Sequence, residues 1–192
     1  MRDEHSIVSF DDESLILVDP NDVVLGYLPK KEAHDGEGRL HRAFSVFLFD
    51  AEGQLLLQQR SAEKRLWPLY WANTCCSHPR RGEDLLSAAK RRLQDELGLE
   101  VERLRFVYRF VYHAQFKDLG SEHELCSVLI GSVTTPPKPN RHEIESTRFV
   151  DPADLDEMLV RDPEIYTPWL KMEWKALREE HWELLRTYVG IA

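Results

Sequence analysis

Three histidines and two glutamates form a set that could bind a divalent metal ion. His34 and His41 flank a glycine-containing loop, and His78 follows a segment rich in strand-forming residues. Glu122 and Glu124 alternate along the chain, so both side chains face the same way if that segment is extended. Imidazole nitrogens and carboxylate oxygens together suit one transition ion or magnesium in an octahedral site. For any one of these histidines alone, an ordinary hydrogen-bonded or exposed side chain would be the favoured interpretation.

Adjacent cysteines offer a second kind of chemistry, proton transfer by a thiol. Cys75 and Cys76 lie in a strand-like segment, WANTCCS, and neighbouring side chains on a strand face opposite ways, so only one can face a given site. With Cys126 the chain holds three cysteines, an odd number without the spacing of a secreted domain, and reduced thiols are expected. A thiol beside a metal and an arginine is expected to ionise at modest cost.

The segment 77–99, SHPRRGEDLLSAAKRRLQDELGL, resembles the Nudix box, a loop and helix that carry carboxylates at fixed spacing. The matching positions are Glu83, Arg91, Glu96 and Gly98. The positions that depart from the pattern are Ser77 for the first glycine, Arg92 for the glutamate after the arginine, and Asp95 for the first glutamate of the last pair. A Nudix hydrolase clusters carboxylates because several hard divalent ions must bind a pyrophosphate. Arg92 makes this box too basic for that role.

The same departures resemble the type I isopentenyl-diphosphate isomerases. The resemblance runs roughly from Leu25 to Trp169, and four segments carry it in order: EAHDGEGRLHRAFS, WPLYWANTCCSHP, the box helix and GSEHELC. Each motif is weak alone, but their order and spacing together are specific. The resemblance implies a Nudix-type α/β (α+β) fold, with a mixed β-sheet sandwiched between helices. It also implies an isomerase that interconverts isopentenyl diphosphate and dimethylallyl diphosphate and so supplies isoprenoid biosynthesis.

Moving an unactivated double bond requires an acid that protonates C4 and a base that removes a proton from C2 of the tertiary carbocation. In the resembled family these roles correspond to Cys76 and Glu124 on opposite faces of the substrate, in an order that the sequence leaves open. Tyr112 corresponds to a residue that assists the glutamate. Trp169, in YTPWL, corresponds to the tryptophan that covers the alkene, where an indole face can stabilise a cation. A core tryptophan is the alternative.

The resemblance also implies two metal sites and a diphosphate site. The first metal site, for Mn²⁺, Mg²⁺ or Zn²⁺, comprises His34, His41, His78, Glu122 and Glu124. At the second, Glu96 and the backbone carbonyl of Cys76 would hold a Mg²⁺ ion that arrives with the diphosphate. Arg60, Lys64 and Arg92 would bind terminal phosphate oxygens. Arg92 and Glu96 are one helical turn apart, so an ordinary solvated pair of helix charges is the alternative.

Hydrophobic periodicity and turn residues predict the elements that must position these groups. The predicted strands form hairpins from 15–18 with 23–28 and from 43–49 with 54–59, followed by strands at 104–116, 124–133 and 149–150. The predicted helices span 83–97 with Gly98 as C-cap, 152–159 with Asp151 as N-cap, and 168 to about 188. Strands interleaved with few helices predict a layered α/β or α+β domain.

Composition limits the remaining choices. A chain of 192 residues with 42% hydrophobic residues can bury one core, so we expect a single domain over 1–192. Its Nudix-type core is expected at about 39–175, with an N-terminal hairpin extension and a C-terminal helix. The formal charge of −9 argues against a nucleic-acid partner or an anionic membrane. With neither a signal peptide nor an apolar membrane span, we expect a cytoplasmic protein, a monomer with a dimer as the alternative.

Two other functions remain possible on the sequence alone. A Nudix hydrolase would share the fold and the metal, but would need glutamate at position 92 and would not need Cys76. A non-catalytic binding protein could keep the scaffold after losing its catalytic residues. The histidines without a family counterpart are expected to be structural or exposed: His5, His113, His123, His142 and His181.

Overall fold

The computed structural model describes residues 6–189, so His5 lies outside the described residues. Within this range nine strands form one mixed sheet. The strands are β1 (Ser14–Val18), β2 (Val24–Pro29), β3 (His41–Phe49), β4 (Leu55–Arg60), β5 (Trp71–Ala72), β6 (Cys75–Ser77), β7 (Leu104–Phe116), β8 (Gly120–Ser132) and β9 (Ile144–Val150). The helices are α1 (Lys30–His34), α2 (Leu85–Leu97), α3 (Pro152–Arg161), α4 (Pro168–Glu179) and α5 (Trp182–Leu185), with a short 3₁₀ turn at Pro163–Ile165.

Strand β3 is the centre of the sheet and carries side chains into two cores. It pairs parallel to β8 and antiparallel to β6, and it also bonds to β1 and β4. Side chains on one face pack against α2, namely Phe44, Val46 and Leu48. Side chains on the other face pack toward α4, namely Ala43, Phe47 and Phe49. Helices on both faces of a mixed sheet confirm the predicted fold class.

Helix α2 begins and ends where capping chemistry requires. The Asp84 side chain accepts a hydrogen bond from the Ser87 amide, and Gly98 closes the helix in the left-handed conformation at φ 62°. Its buried stripe, Ala89, Leu93 and Leu97, lies against the sheet. The helix therefore starts two residues later than the 83–97 prediction, because Asp84 caps it, and ends where predicted.

A close approach at Gly120 fixes the start of β8 against α1. A Cβ atom at this position would lie 2.2 Å from the backbone oxygen of His34, so only glycine fits. Strand β8 consequently begins at Gly120, four residues before the predicted start, and includes Glu122 as well as Glu124. Its neighbour β7 pairs with it across almost its full length, and Tyr112 lies opposite Glu124 in this pairing.

The prediction of one long C-terminal helix is wrong. Helix α4 ends at Glu179, the backbone turns at His181, and α5 is a separate short helix. The apolar residues on both sides of the break, including Leu177 and Leu185, still enter one core, so periodicity alone could not reveal it. The strand predicted at 149–150 is longer and begins at Ile144, and WANTCCS forms two short strands, β5 and β6.

Candidate active site

Five side chains from four parts of the chain converge at one end of the sheet. Their ligand atoms all lie within 4.8 Å of one another, and the residues are His34, His41, His78, Glu122 and Glu124. Helix α1 ends with His34, β3 starts with His41, and His78 follows β6 directly. The alternation in β8 places both glutamates on the same face. His123 points the other way, where its ring lies 5.0 Å from that of His113.

The histidine rings are oriented as metal ligands usually are. Nδ1 of His34 lies 2.7 Å from the Lys30 carbonyl, and Nδ1 of His41 lies 2.7 Å from the Arg39 carbonyl. A proton on each Nδ1 leaves the Nε2 lone pair directed into the cluster. Nε2 of His41 then lies only 3.2 Å from Nε2 of His78. Nitrogens this close, with two carboxylates beside them, suit a divalent cation, so the residues present fit a bound metal.

The buried groups of the cluster shift one another's pKa values. The Nε2 atom of His34 lies 2.8 Å from Oε2 of Glu122. Burial alone would lower the pKa of His34 and raise that of Glu122, but their mutual attraction outweighs it and reverses both shifts. The pKa of His78 is held well below its ordinary value, first by burial and then by the neighbouring His41. A neutral imidazole is the form that binds a metal.

Glu124 contacts the metal-ligand cluster with one carboxylate oxygen and the cavity residue Tyr112 with the other. Its Oε1 lies 3.3 Å from Nε2 of His78, and its Oε2 accepts a 2.7 Å hydrogen bond from the Tyr112 hydroxyl. Burial would raise the pKa of Glu124, but the hydrogen bonds from His41 and Tyr112 lower it overall. The group is therefore an ionised carboxylate with one oxygen toward the cluster and the other toward a buried phenol.

The two adjacent cysteines face opposite sides of the sheet. Cys75 is fully buried against α2, whereas Cys76 is partly exposed and lines the cavity. The Cys76 thiol donates to Oδ1 of Asn73 at 2.8 Å and lies 3.4 Å from the Ser45 hydroxyl. Burial, and next the nearby Glu173 carboxyl, raise the Cys76 pKa well above its ordinary value, so the group is a neutral thiol.

An aromatic wall closes the apolar side of the cavity. The Trp169 ring is 2% exposed and meets the Trp67 ring edge-on at 5.2 Å between centroids. Tyr112 lies beside it, with ring centroids 6.5 Å apart. The Trp67 ring also contacts Phe116, so Trp67 belongs to the buried cluster that supports this wall. The guanidinium carbon of Arg60 lies 5.3 Å from the Trp169 ring centre, which places cationic and aromatic groups side by side.

Basic side chains line the part of the cavity that adjoins this wall, called the basic end below. Arg60, Lys64 and Arg92 all reach the cavity. Arg60 donates to the carbonyls of Leu66 and Trp67, which fixes the orientation of its guanidinium. Arg92 is 3% exposed and donates to Oε1 of Glu96 from Nη2 at 2.5 Å. Glu96 is therefore engaged by Arg92, and a magnesium ion bound to Glu96 must compete with that ion pair.

Two further residues of the basic end were not predicted from the sequence. Glu143 forms ion pairs with Lys64 and Arg92, and these cations outweigh burial and lower its pKa to about 2. Lys30 also lines the cavity, and burial followed by repulsion from Lys64 lowers its pKa to about 8. The signal available for Lys30 was its spacing, because it stands one helical turn before His34. No sequence pattern marked Glu143, which follows the Pro-rich loop.

One cavity of about 340 Å³ is lined by most of these groups, although His41 and Glu96 are not among its lining residues. Its lining includes the two proton-transfer candidates Cys76 and Glu124, the aromatic wall and the basic end. This volume suits a small molecule, and the division into an anion-binding end and an aromatic end suits a short hydrocarbon attached to phosphate.

Comparison with known proteins identifies the family. The NUDIX domain model matches residues 39–170. The chain is 48% identical over 155 residues to the isopentenyl-diphosphate Delta-isomerase of Nocardia farcinica, covering 80% of this chain and 88% of the relative. It is 40% identical over 174 residues to isopentenyl-diphosphate Delta-isomerase 1 of Photorhabdus laumondii, covering 90% and 99%. The chain belongs to the isopentenyl-diphosphate Delta-isomerase family. It is an isomerase built on a NUDIX domain.

Solved structures support the fold of this isomerase. DR0079 from Deinococcus radiodurans superposes with a TM-score of 0.66 at 21% identity, covering 92% of this chain and 99% of that one. The MutT protein of Methanosarcina mazei Go1 gives 0.61 at 16% identity, covering 74% and 95%. Within residues 6–189, no helix of the isomerase combines the length and apolar character needed to cross a bilayer.

Proposed function

We propose that this isomerase interconverts isopentenyl diphosphate and dimethylallyl diphosphate, with Cys76 and Glu124 as the acid/base couple. The observation that carries the proposal is that one cavity is lined by a neutral thiol, a carboxylate hydrogen-bonded to Tyr112, and the side chain of Trp169. A thiol that stays protonated can supply a proton, and an ionised carboxylate can accept one.

The proton balance of the 1,3-allylic rearrangement is simple. A proton adds to C4 of the alkene, the π electrons form the new C–H bond, and C3 becomes a tertiary carbocation. Removal of a proton from C2 then forms the new double bond, so one proton enters and one leaves. Cys76 and Glu124 would exchange these roles in the two directions of the reaction, and Tyr112 would stabilise or relay the charge on Glu124 through its 2.7 Å hydrogen bond.

The carbocation and the diphosphate need different surroundings. Trp169 would present its indole face to the cation, where a desolvated contact contributes about 2 kcal/mol. Arg60, Lys64 and Arg92 would bind the diphosphate, together with Lys30 at the same end of the cavity. The polar group would then be held at one end while the alkene lies between Cys76 and Glu124.

The five-residue histidine and glutamate cluster would hold one divalent ion, Mn²⁺, Mg²⁺ or Zn²⁺, and a second Mg²⁺ would enter with the diphosphate at Glu96 and the Cys76 carbonyl. A metal bound there would supply positive charge beside Glu124 and the substrate. His34, His41 and His78 would hold Oε1 of Glu124 at the cluster, and its Oε2, which accepts from Tyr112, would be left to exchange a proton. This arrangement leaves Glu124 both a ligand and a proton carrier.

The remaining expectations about organisation stay proposals. We propose one domain, because the N-terminal hairpin β1–β2 hydrogen-bonds to the same sheet as the NUDIX core. A cytoplasmic location and a monomer, with a dimer as the alternative, stay predictions.

Proton NMR in deuterium oxide tests the function directly. Purified protein, isopentenyl diphosphate and Mg²⁺ should yield dimethylallyl diphosphate with deuterium in a methyl group. Intact isopentenyl diphosphate, with phosphate released from a panel of nucleoside diphosphate derivatives instead, would establish the hydrolase alternative. Cys76→Ala is the matched control, because it leaves the fold and the metal ligands in place while removing the thiol.

A further inference from the structure

A buried carboxyl behind the cavity has no part in the chemistry described so far. Glu173, on α4, is fully buried, and its Oε1 accepts a hydrogen bond from the Cys126 thiol at 3.4 Å. No hydrogen-bond partner within residues 6–189 reaches its Oε2. Burial, only partly offset by Ser45 and Cys126, raises the pKa of Glu173 to about 8, so the carboxyl carries its proton at neutral pH.

Ser45 lies between this carboxyl and the proposed catalytic thiol. In the antiparallel pairing of β3 with β6, Ser45 stands directly opposite Cys76. Its hydroxyl is 3.4 Å from the Cys76 sulfur and 3.5 Å from the Cys126 sulfur. Ser45 is itself buried, so water does not compete for these bonds. The hydroxyl is thus a bridge from the α4 side of the sheet to the cavity.

The sulfur of Cys76 is therefore held from two sides. The Asn73 amide oxygen accepts from the thiol, and the Ser45 hydroxyl is in reach to donate to the sulfur. A serine hydroxyl that donates toward Cys76 presents its lone pairs to the other side, where the Cys126 thiol lies. The Cys126 thiol connects this hydroxyl to Glu173, because its sulfur lies 3.5 Å from the Ser45 hydroxyl and 3.4 Å from Oε1 of Glu173.

We propose that Glu173 is a positioning residue for the Cys76 thiol and acts on it through Ser45. The proposal rests on the proposed function, since it assigns Cys76 the proton transfer. A carboxyl on the buried side of a helix is costly unless it is hydrogen-bonded, and apolar residues fill the neighbouring positions of the same helix, Leu170, Trp174 and Leu177. A purely structural role would be served equally well by another apolar side chain.

A double-mutant cycle separates this role from simple packing. The variants are Glu173→Met, Ser45→Ala and the two combined, with Glu173→Gln as the conservative replacement that keeps size and hydrogen bonding. The control is Leu177→Ala, one turn further along α4 on the same buried side but in the core away from the thiol. For each variant, kcat and KM for isopentenyl diphosphate and the melting temperature are measured with metal-loaded protein.

Positioning through Ser45 predicts a specific pattern. Glu173→Met and Ser45→Ala should each lower kcat about tenfold, and the combined variant should be no slower than Ser45→Ala. KM should change by less than about twofold, because the diphosphate end is untouched. Glu173→Gln should keep most of kcat, and Leu177→Ala should lower the melting temperature but not kcat.

Three results would overturn the inference. They are multiplicative losses in the combined variant, unchanged kcat in Glu173→Met, and a Glu173→Gln variant as slow as Glu173→Met. All three require a wild-type enzyme that isomerises the substrate, so they leave the proposed function standing. Absence of isomerisation by the wild type would instead remove the proposed function and this inference together.

Discussion

The hydroxyl of Tyr112 donates a 2.7 Å hydrogen bond to Oε2 of Glu124, while Oε1 of the same carboxylate lies 3.3 Å from His78. One carboxylate thus faces a metal-ligand cluster and a buried phenol at once. Burial, and then the negative charge of Glu124, keep the pKa of Tyr112 well above its ordinary value, so the phenol keeps its proton. The cross-strand pairing of β7 with β8 sets this contact, because the two residues stand directly opposite each other.

Removal of that hydroxyl should slow proton transfer without disturbing the metal. Tyr112→Phe should lower kcat about 10- to 100-fold, because Glu124 loses its hydrogen-bond donor. Metal content and melting temperature should stay close to wild type, since Tyr112 is not one of the clustered ligands. Steady-state kinetics with metal analysis of the same samples measure both. A kcat equal to wild type would exclude Tyr112 from the proton path.

The adjacent cysteines provide a matched pair for the acid/base assignment. Cys76→Ala should abolish turnover in the NMR assay, because it removes a proton carrier, and the protein should stay folded. Cys75→Ala should keep kcat but unfold more easily by about 1 kcal/mol, since this side chain packs against α2 on the other face. Urea unfolding and kinetics on both variants decide the matter. Turnover by Cys76→Ala near the wild-type rate would refute the assignment.

Glu124→Gln should also abolish turnover, since an amide is a far weaker base than a carboxylate. Its circular dichroism spectrum should match that of the wild type. A variant that still isomerises at the wild-type rate would require another base, and Glu122 is the neighbouring carboxylate in the cluster.

Substitution of Trp169 tests whether its ring stabilises the cation. If the indole contributes about 2 kcal/mol in the transition state alone, its loss lowers kcat roughly thirtyfold. Trp169→Phe keeps an aromatic face and should retain more activity than Trp169→Ala. Because removal of a buried tryptophan also leaves a cavity, melting temperatures must be measured for both variants. Equal losses of kcat in the two would indicate packing instead.

Metal removal and a neighbouring-residue control test the histidine cluster. Chelation should inactivate the enzyme reversibly and lower its melting temperature, because the ligands come from four separate parts of the chain. His41→Ala should bind less metal than wild type. His123→Ala changes the residue between two ligands, but its side chain faces away, so metal content should be unchanged. Full activity after prolonged treatment with EDTA would contradict the proposed role of the metal.

The ion pairs of Glu143 make stability depend on pH in the acid range. Its pKa is about 2 in the folded protein against an ordinary value of 4.5. Because the pKa is lower in the folded protein, ionised Glu143 adds up to about 3 kcal/mol to the free energy of unfolding. This contribution is complete above pH 4.5 and is lost as the pH falls toward 2. Urea unfolding at several pH values should show that the free energy of unfolding falls more steeply with decreasing pH for wild type than for Glu143→Gln. Identical pH profiles would mean that Glu143 contributes nothing.

The parts of the site that motifs define were predictable, and the parts that depend on long-range packing were not. Alternation in an extended segment correctly separated Glu122 and Glu124 from His123, and Cys75 from Cys76. The C-cap Gly98 correctly located the end of α2. Glu143 escaped because its partners, Lys64 and Arg92, are distant in the chain and meet only through the β4–β9 pairing and α2.

Glu173 is the more instructive omission. It stands four residues after Trp169, on the stripe of α4 that is otherwise apolar, so a signal was present in the helical spacing. In isolation, however, a glutamate beside two lysines at positions 171 and 175 resembles an exposed helix charge. Only the packing of α4 on the sheet shows that the side chain is enclosed.

Because Cys75 and Cys76 face opposite sides of the sheet, alkylation of their thiols should report two different events. A thiol-specific alkylating reagent should reach Cys76 through the cavity, so bound substrate should slow the alkylation of Cys76. The same reagent reaches Cys75 only when α2 separates from the sheet, so its rate there measures opening of the core. Mass spectrometry of one labelled peptide can therefore follow ligand binding and unfolding in a single sample.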